Sequence, residues 1–375
     1  MCHHRTSSDT FLKRVSTLAR TAHAWAGAVL SLLLIVISLS GTLLVFKDDY
    51  IRATIDEAHN SLNPAPAVLS LITETVETRF SPGSIRSLVF AGPHLGISKL
   101  SLTSGKQIYI NAKGAPVAIL EDTARLEEWM FDLHHHLFAG DIGKFLTGIA
   151  GLAAAIIIIT GLIALWPARR AFSFRIWPRT YTRTSLLAAH RNIGLLSALP
   201  LLVVVLTGTG IVFSSSTKSI LSVFNDKEVH AHTELITAGS GDIDWDLALH
   251  LAQEEFSGAR IRSIRWPQNP GDPAIIRIKQ ASEWHPNGRT YIMIDPANST
   301  IINIKNAETA PRGDRIFNTF YPIHAARLGA GMMGRFYDIT MALFGLSMSL
   351  LGCLGLYTFL KKRGTLRSPR RAELS

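Results

Sequence analysis

Cysteine is nearly absent from this chain, whose 375 residues include only Cys2 and Cys353. Both lie beside basic segments that we predict to be cytoplasmic, where disulfide bonds are not expected. The chain also lacks a Cys-x-x-Cys-His sequence, which excludes the covalent attachment used by c-type cytochromes. A prosthetic group in this protein would therefore be held by non-covalent contacts and side-chain ligands.

Acidic residues are also scarce, with 28 Asp and Glu against 38 Lys and Arg and a net charge of +10. The excess is confined to segments 1–22, 167–189 and 361–375, which hold fifteen basic residues and only two acids, Asp9 and Glu373. The rest of the chain is slightly acidic. Such short basic segments between apolar runs follow the positive-inside pattern of membrane proteins, so we predict no nucleic-acid partner.

Four apolar runs are long enough to cross a bilayer, at roughly 24–46, 145–166, 192–213 and 336–360. The first is too long for a signal peptide and has no small-residue cleavage site after it. We predict an α-helical integral membrane protein with four transmembrane helices and both termini in the cytoplasm. The predicted segments are a cytoplasmic start (1–22), TM1 (23–46), a first module (47–125), a pre-membrane helix with TM2 (126–166), a basic loop (167–189), TM3 (190–213), a second module (214–320), a pre-membrane segment with TM4 (321–360) and a basic tail (361–375).

The two halves of the chain repeat one another. His23-Ala-Trp-Ala-Gly27 and His190-Arg-Asn-Ile-Gly194 each begin an apolar run, and the offset from His23 to His190 is unchanged at the ends of the runs, Phe46 and Phe213. The second and fourth runs match at a larger offset, that from Gly143 to Gly334. Each intervening loop has an amphipathic helix (66–80 and 244–257) followed by four short alternating runs, which is typical of a small α+β module. We predict an internal duplication with parallel repeats.

Four histidines occupy matching places in this repeat. His23 and His190 begin the first and third runs, and His134 and His324 precede the second and fourth. Histidine in or beside a membrane span is costly and usually functional, and neutral imidazole binds iron, copper and zinc. An interfacial anchor, or a pair inherited without a function, remains the alternative.

Glycine follows one turn after each of the first two histidines. Gly27 and Gly194 would leave room for a flat macrocycle, although small residues also permit close helix packing. A zinc or copper site is less well supported at His23 and His190, because neither has an acidic neighbour within one turn.

The second pair leaves its ligands open. His134 belongs to a triplet with His135 and His136, and Asp132 and Asp141 flank it. That cluster could bind a metal ion directly. Nearby aromatic residues could line a substrate pocket, although core packing explains them equally well: Trp129, Phe131 and Tyr337.

These motifs resemble the PepSY-associated transmembrane family, the iron-regulated inner-membrane proteins of bacteria, over nearly the full chain. The matching stretches are His23-x-x-x-Gly27 with Ser40-Gly41-Thr42, Leu133-His134-His135 with Gly143-Lys144, His190-x-x-x-Gly194 with Thr207-Gly208, and Pro322-Ile323-His324 with Gly334-Arg335. Within that family the chain is most similar to the ferric-siderophore (ferrioxamine) reductases.

The resemblance implies two periplasmic PepSY modules and two haem b groups in the inner membrane. His23 and His190 would ligate the cytoplasmic-side haem, and His134 and His324 the periplasmic-side haem. His134 occupies the family position, with His135 and His136 as alternatives. The implied activity is reduction of a ferric siderophore in the periplasm.

Two other classes of function compete with this interpretation. The chain could be a non-redox siderophore or iron permease or its accessory subunit, but it lacks the polar broken helices typical of transporters. It could instead regulate a periplasmic peptidase, which would leave the matched histidines unexplained. Gly329-Ala-Gly-Met-Met-Gly334 matches the dinucleotide-binding pattern, but it follows no buried strand and leads into a spanning run. We therefore predict no nucleotide-binding or flavin-binding fold, so quinol or a separate cytoplasmic reductase would supply the electrons.

Overall fold

The computed structural model describes residues 7–60, 64–120, 125–225, 238–239, 241–329 and 331–364. His3, His4, His230 and His232 lie outside these ranges, as do Cys2 and most of the basic tail. The α-helices are α1 (Ser7–Val45), α2 (Lys47–Thr54), α3 (Pro66–Arg79), α4 (Leu126–His136), α5 (Gly140–Leu165), α6 (Arg183–Val212), α7 (Ser214–Leu221), α8 (Trp245–Glu255), α9 (Arg312–Asn318), α10 (Phe320–His324) and α11 (Gly331–Lys362).

The chain divides into two compact units. The first unit, here called the helical bundle, comprises residues 1–45, 131–213 and 330–375, and the second, here called the α+β unit, comprises residues 46–130 and 214–329. The bundle contains four helices that are long and apolar enough to span a membrane: α1 from Arg14, α5, α6 and α11. The prediction of four spanning helices is confirmed.

The helices begin earlier than their apolar runs. We predicted that His23 and His190 open their helices, which is wrong, because α1 already begins at Ser7 and α6 at Arg183. The helix therefore includes the residues before each histidine, and the start of α6 is capped by the Thr182 hydroxyl, which accepts from the backbone N–H of Ser185. Both histidines therefore lie within a helix that continues on either side of them, and this fixes their backbones.

Small residues set the spacing of the bundle. In the bundle, α1 and α6 each pack against both α5 and α11. Gly151 on α5 lies against the hydroxyl of Thr209 on α6, and Gly345 on α11 lies against the hydroxyl of Thr42 on α1; a Cβ at either glycine would come within 2.2 Å of that oxygen. Such contacts are typical of membrane helices, because small residues allow backbones to approach closely.

These contacts relate the second and fourth runs at an offset other than the predicted one. Thr42 and Thr209 are separated by the offset that was predicted for the first and third runs. Gly151 and Gly345 are separated by three residues more than the offset that was predicted for the second and fourth runs. The fourth run carries glycine at both 352 and 355, so the letters of the sequence allow either offset. A shift of three residues is close to one helical turn, and it moves the equivalent position along the same helix face.

One antiparallel sheet forms the centre of the α+β unit. Its order is β4-β3-β2-β1-β5-β6-β7-β8. The strands are β1 (Ile85–Val89), β2 (Ser98–Leu102), β3 (Gln107–Ile110), β4 (Pro116–Leu120), β5 (Arg260–Arg265), β6 (Ala274–Lys279), β7 (Thr290–Ile294) and β8 (Ile301–Lys305). All eight lie where alternating runs were expected. The two predicted modules, however, share a continuous sheet.

The two meanders meet at β1 and β5, which pair antiparallel with Leu88 opposite Ile264. Beyond the ends of this pairing, the N–H of Phe90 donates to the carbonyl of Arg262, and the N–H of Trp266 donates to the carbonyl of Arg86. The two hydrogen bonds are equivalent, because one offset in residue number relates both their donors and their acceptors. It relates the donor Phe90 to the donor Trp266, and the acceptor Arg86 to the acceptor Arg262. The join is thus locally two-fold, as in an isologous interface between identical subunits.

A shared core covers one face of this sheet. Leu69 and Val76 of α3 and Leu249 of α8 pack with the buried isoleucines of the central strands. At its edge the Glu77 carboxylate accepts hydrogen bonds from the indole N–H groups of Trp245, at 2.9 Å, and Trp266, at 2.7 Å. The core therefore draws on both halves of the chain and links them into one unit.

Candidate functional site

His23 and His190 lie next to one another inside the helical bundle. Their ring centres are 6.0 Å apart, and the ring planes are inclined at 74°. The two residues come from α1 and α6, which are far apart in sequence, so only the packing of the bundle brings them together. This is the pair that the repeat predicted to act at one depth.

A backbone carbonyl on α5 orients the His23 ring. Its Nδ1 lies 2.8 Å from the carbonyl oxygen of Ile157, an acceptor, so Nδ1 carries the proton and donates it. The other ring nitrogen, Nε2, is then unprotonated and available to a metal. Metal-ligating histidines almost always have their second nitrogen fixed in this way.

The His190 ring has a related environment on the opposite side. Its Nδ1 is buried and makes no hydrogen bond, although it faces the backbone carbonyl of Leu351 on α11. Leu351 matches Ile157 at the offset that relates Gly345 to Gly151. A small rotation would complete the same bond that holds His23.

Glycine on a neighbouring helix makes room for each ring. A Cβ at Gly161 on α5 would lie 2.9 Å from Cε1 of His23, and one at Gly355 on α11 would lie 3.4 Å from Cε1 of His190. Gly41 on α1 has the same relation to His134, with a Cβ-to-Cε1 distance of 2.6 Å. All three glycines can be read from the sequence, but no pattern in it indicates that they lie beside histidine rings.

Gly27 and Gly194 have a different environment. A Cβ at Gly27 would meet nothing within 4 Å, and one at Gly194 would make only an ordinary contact of 3.7 Å with Leu351. Close helix packing, the competing explanation for these two glycines, is therefore not what they provide. The space beside Gly27 is open.

The spacing of the two rings can be compared with what a shared metal requires. Bonds from a metal to imidazole nitrogen are about 2.0–2.1 Å, and the ring centre lies about 1.1 Å further on, so opposed rings are expected about 6.3 Å apart. The observed 6.0 Å agrees to within a few tenths of an ångström. The distance between the ring centres therefore leaves room for a metal ion between the two imidazoles.

The histidine triplet at the end of α4 separates into three environments. Nδ1 of His134 lies 2.9 Å from the carbonyl oxygen of Ile37 on α1, so it donates there, as His23 does to α5. The His135 ring stacks on Phe131 with centres 4.2 Å apart, and Nδ1 of His136 lies 3.0 Å from the Asp132 carboxylate. Of the three, His134 has the orientation expected of a ligand.

His324 belongs to the α+β unit, as the last residue of α10. Three residues earlier, the Tyr321 ring stacks on the buried imidazole of His285, with ring centres 4.8 Å apart. Nδ1 of His285 accepts from the backbone N–H of Asn287 and from the Arg277 guanidinium. Burial, followed by the charges of Arg289, Arg277 and Lys279, lowers the pKa of His285 to about 2. The stack therefore rests on a neutral ring.

The aromatic residues that we predicted near the second site lie in different units. Trp129 is in the α+β unit, whereas Phe131 and Tyr337 are in the helical bundle. Trp129 and Phe131 are partly exposed, and Phe131 contacts His135 and His136. Their role in a substrate pocket stays a prediction.

Among the described residues, no group of three or more His, Cys, Asp or Glu side chains could hold a metal ion. The direct metal site considered at the triplet, with Asp132 and Asp141, finds no support in that part of the chain. A metal between His23 and His190 would need its remaining ligands from a source other than the protein.

Comparison with known families assigns the chain. The family model of the PepSY-associated TM region matches residues 20–362, and the chain belongs to this family. The predicted family is confirmed, and with the four apolar helices it makes the chain a helical, multi-pass membrane protein. No curated protein matches the chain.

Proposed function

We propose that this protein is a di-haem electron carrier of the bacterial inner membrane that reduces ferric siderophores on the periplasmic side. The observation that carries the proposal is the 6.0 Å spacing of His23 and His190. Two protein ligands suffice for haem iron, because the macrocycle supplies the four others. A lone zinc or copper ion would need further protein ligands.

The chain's own residues would orient the ligands and make room for the ring. The Ile157 carbonyl holds the His23 proton on Nδ1 and keeps Nε2 available. The open space beside Gly27 would admit the edge of a macrocycle. When bound, haem b supplies one-electron chemistry whose potential the protein tunes through ligands, burial and hydrogen bonds.

A second haem would be ligated by His134, whose Nδ1 is held by Ile37 in the same manner. His324 as its other ligand is a prediction from the repeated sequence. The matched glycine–threonine contacts in the two halves of the bundle, and the two-fold join of the sheet, support our view that the chain is a tandem duplication.

The proposed topology has support from the shared sheet. Strands β1–β4 precede the spans α5 and α6, and strands β5–β8 follow them, so their pairing in one sheet supports a topology with both meanders on the same side of the membrane. The basic segments at 1–22, 167–189 and 361–375 would then be cytoplasmic by the positive-inside rule. The α+β unit would be periplasmic.

The proposed reaction follows from ligand hardness. Siderophore oxygens bind hard ferric iron strongly and the softer ferrous ion less well, so a one-electron reduction favours release of the metal. Electrons would enter near His23 and His190 from quinol or a separate cytoplasmic reductase. The ferric siderophore is the electron acceptor.

An optical spectrum of the purified, full-length protein tests the proposal. We expect a b-type spectrum with two haems per chain and oxidation of the reduced protein by ferrioxamine. His23→Ala and His190→Ala should each remove one haem, whereas His250→Ala, which alters an exposed imidazole on α8, should remove none. A haem-free protein would contradict the proposal and favour a permease or a peptidase regulator. Retention of both haems by the first two variants would show that these ligands are wrong.

A further inference from the structure

A pocket of about 290 Å³ lies in the α+β unit, near the two-fold join of the sheet. Its walls include Pro66 at the start of α3, Gly92 just after β1, and Arg260 and Arg262 of β5. This volume is close to the lower limit for small-molecule sites. None of the proposed haem ligands lines it, so it is separate from the site described above.

The Arg262 guanidinium is held in place by neutral acceptors. Nη1 donates to the carbonyls of Phe90, at 2.9 Å, and Ala91, at 3.2 Å, and Nη2 donates to the side-chain oxygen of Asn287, at 3.2 Å. In the described part of the chain, no carboxylate lies within ion-pair distance of it. A largely desolvated cation without an anionic partner is costly, so its presence needs an explanation.

The surrounding charges do not neutralise it. Arg260 and Arg277 are close enough to act on Arg262 electrostatically, and Asp48 is the one described acid that does so. Asp48 already pairs with Arg327 at 3.3 Å. Burial first, and the neighbouring arginines second, lower the pKa of Arg262 to about 10, which leaves it charged at neutral pH.

Two backbone features place Arg262 at the pocket. The register of β5 on β6 shifts between Ile261 and Ser263, which makes Arg262 the extra residue of a bulge. Bulges redirect side chains and occur often beside functional sites. Gly92 accommodates the guanidinium, because a Cβ there would lie 2.6 Å from Nη1.

Arg260 provides the second charge. It is partly exposed, and within the described ranges its side chain makes no hydrogen bond or ion pair. Its planar guanidinium can bind a carboxylate or phosphate through two parallel hydrogen bonds. One arginine is thus anchored in the wall while the other is available to a ligand.

We propose that this pocket binds an oxyanion, with Arg260 pairing directly with a carboxylate or phosphate of a small ligand and Arg262 supplying positive charge from the wall. The volume admits a molecule of about a dozen non-hydrogen atoms, such as a tricarboxylate. The site does not depend on haem, so it stands or falls separately from the proposed function.

Calorimetric titration of the full-length protein in detergent tests this assignment. Citrate and inorganic phosphate are the probes, and the trimethyl ester of citrate, which has the same skeleton without charge, is the control ligand. We expect one citrate or phosphate per chain, no binding of the ester, and weaker binding as salt rises from about 50 to 300 mM. Tighter binding of citrate would indicate a carboxylate ligand, and tighter binding of inorganic phosphate would indicate a phosphate ligand.

Variants on one strand separate the site from general electrostatic attraction. Arg260→Gln should weaken anion binding at least tenfold, whereas Arg265→Gln, an exposed arginine of β5 outside the pocket, should leave it within twofold. Gly92→Ala, which crowds Nη1 of Arg262 without removing charge, should also weaken it. Equal losses in Arg260→Gln and Arg265→Gln, or no binding of either anion at 10 mM, would overturn the proposal.

Discussion

Replacing Gly161 by alanine is the sharpest test of the histidine pair, because an equivalent glycine is present in the other half. In Gly161→Ala the new Cβ would lie 2.9 Å from Cε1 and 3.0 Å from Nδ1 of His23. In Gly355→Ala the corresponding distances to His190 are 3.4 and 3.8 Å, which are ordinary contacts. The same chemical change is therefore disruptive on one side of the pair and mild on the other.

The expected magnitude follows from overpacking. His23 cannot move away freely, because its Nδ1 is bonded to Ile157, and forcing a methyl group into such a contact costs about 1–3 kcal/mol. If this strain is relieved by displacing the ligand, haem affinity at the site falls about 5- to 140-fold, at 1.4 kcal/mol per factor of ten. Gly355→Ala should change the affinity by less than about threefold.

The assay is haem content per chain, together with the low-spin electron paramagnetic resonance signal of the oxidised protein. Alanine has a higher helix propensity than glycine by about 1 kcal/mol, so neither variant should unfold more readily through its backbone. Loss of haem from Gly161→Ala without loss of helicity would therefore show that the methyl group displaces the His23 imidazole. Equal haem loss in both variants, or in neither, would refute the reasoning.

Three further predictions concern single positions. In the triplet, His134→Ala should remove one haem while His135→Ala and His136→Ala keep both, measured as haem per chain; loss in all three would indicate collapse of α4. Gly27→Leu should fill the open space and lower haem content at the inner site without lowering helicity, and an unchanged haem spectrum would argue against clearance there. Because His285 stays neutral when folded, with a pKa of about 2, only the unfolded chain binds its proton as pH falls below about 6.5. Stability should fall by up to about 1.4 kcal/mol per pH unit from pH 6.5 towards pH 5. Thermal unfolding of His285→Phe should show a flatter pH profile, and equal slopes in both proteins would contradict it.

Local patterns predicted the elements well because each element is specified by its own residues. Apolar length alone located the four spans, and alternation located all eight strands. The positions of His23 and His190 followed from the repeat. The offset between the two runs is the same at these histidines and at the ends of the runs, so the two side chains lie at the same level of their helices. The pairing of those side chains then required only that the helices be neighbours.

Other features depend on contacts that no single segment specifies. The join of β1 to β5 was not predicted, because each meander has a complete alternating pattern by itself. The triplet could not be resolved, because three adjacent histidines differ only in which face of α4 they occupy. The carbonyl partner of His23 is a backbone atom of Ile157, and a backbone carbonyl leaves no mark in the sequence.

The β1–β5 join has a consequence for how the protein is made. About 170 residues separate the two strands, so β5 leaves the ribosome on the order of 10–30 s after β1 at ordinary rates of synthesis. Both α5 and α6 must enter the membrane in that interval. Until then β1 presents an open edge, whose unpaired backbone groups are a template for pairing with another chain. A nascent or truncated chain that ends after α5 should therefore associate with other copies of itself through β1. Cells should need a holdase chaperone or rapid membrane insertion to prevent this association.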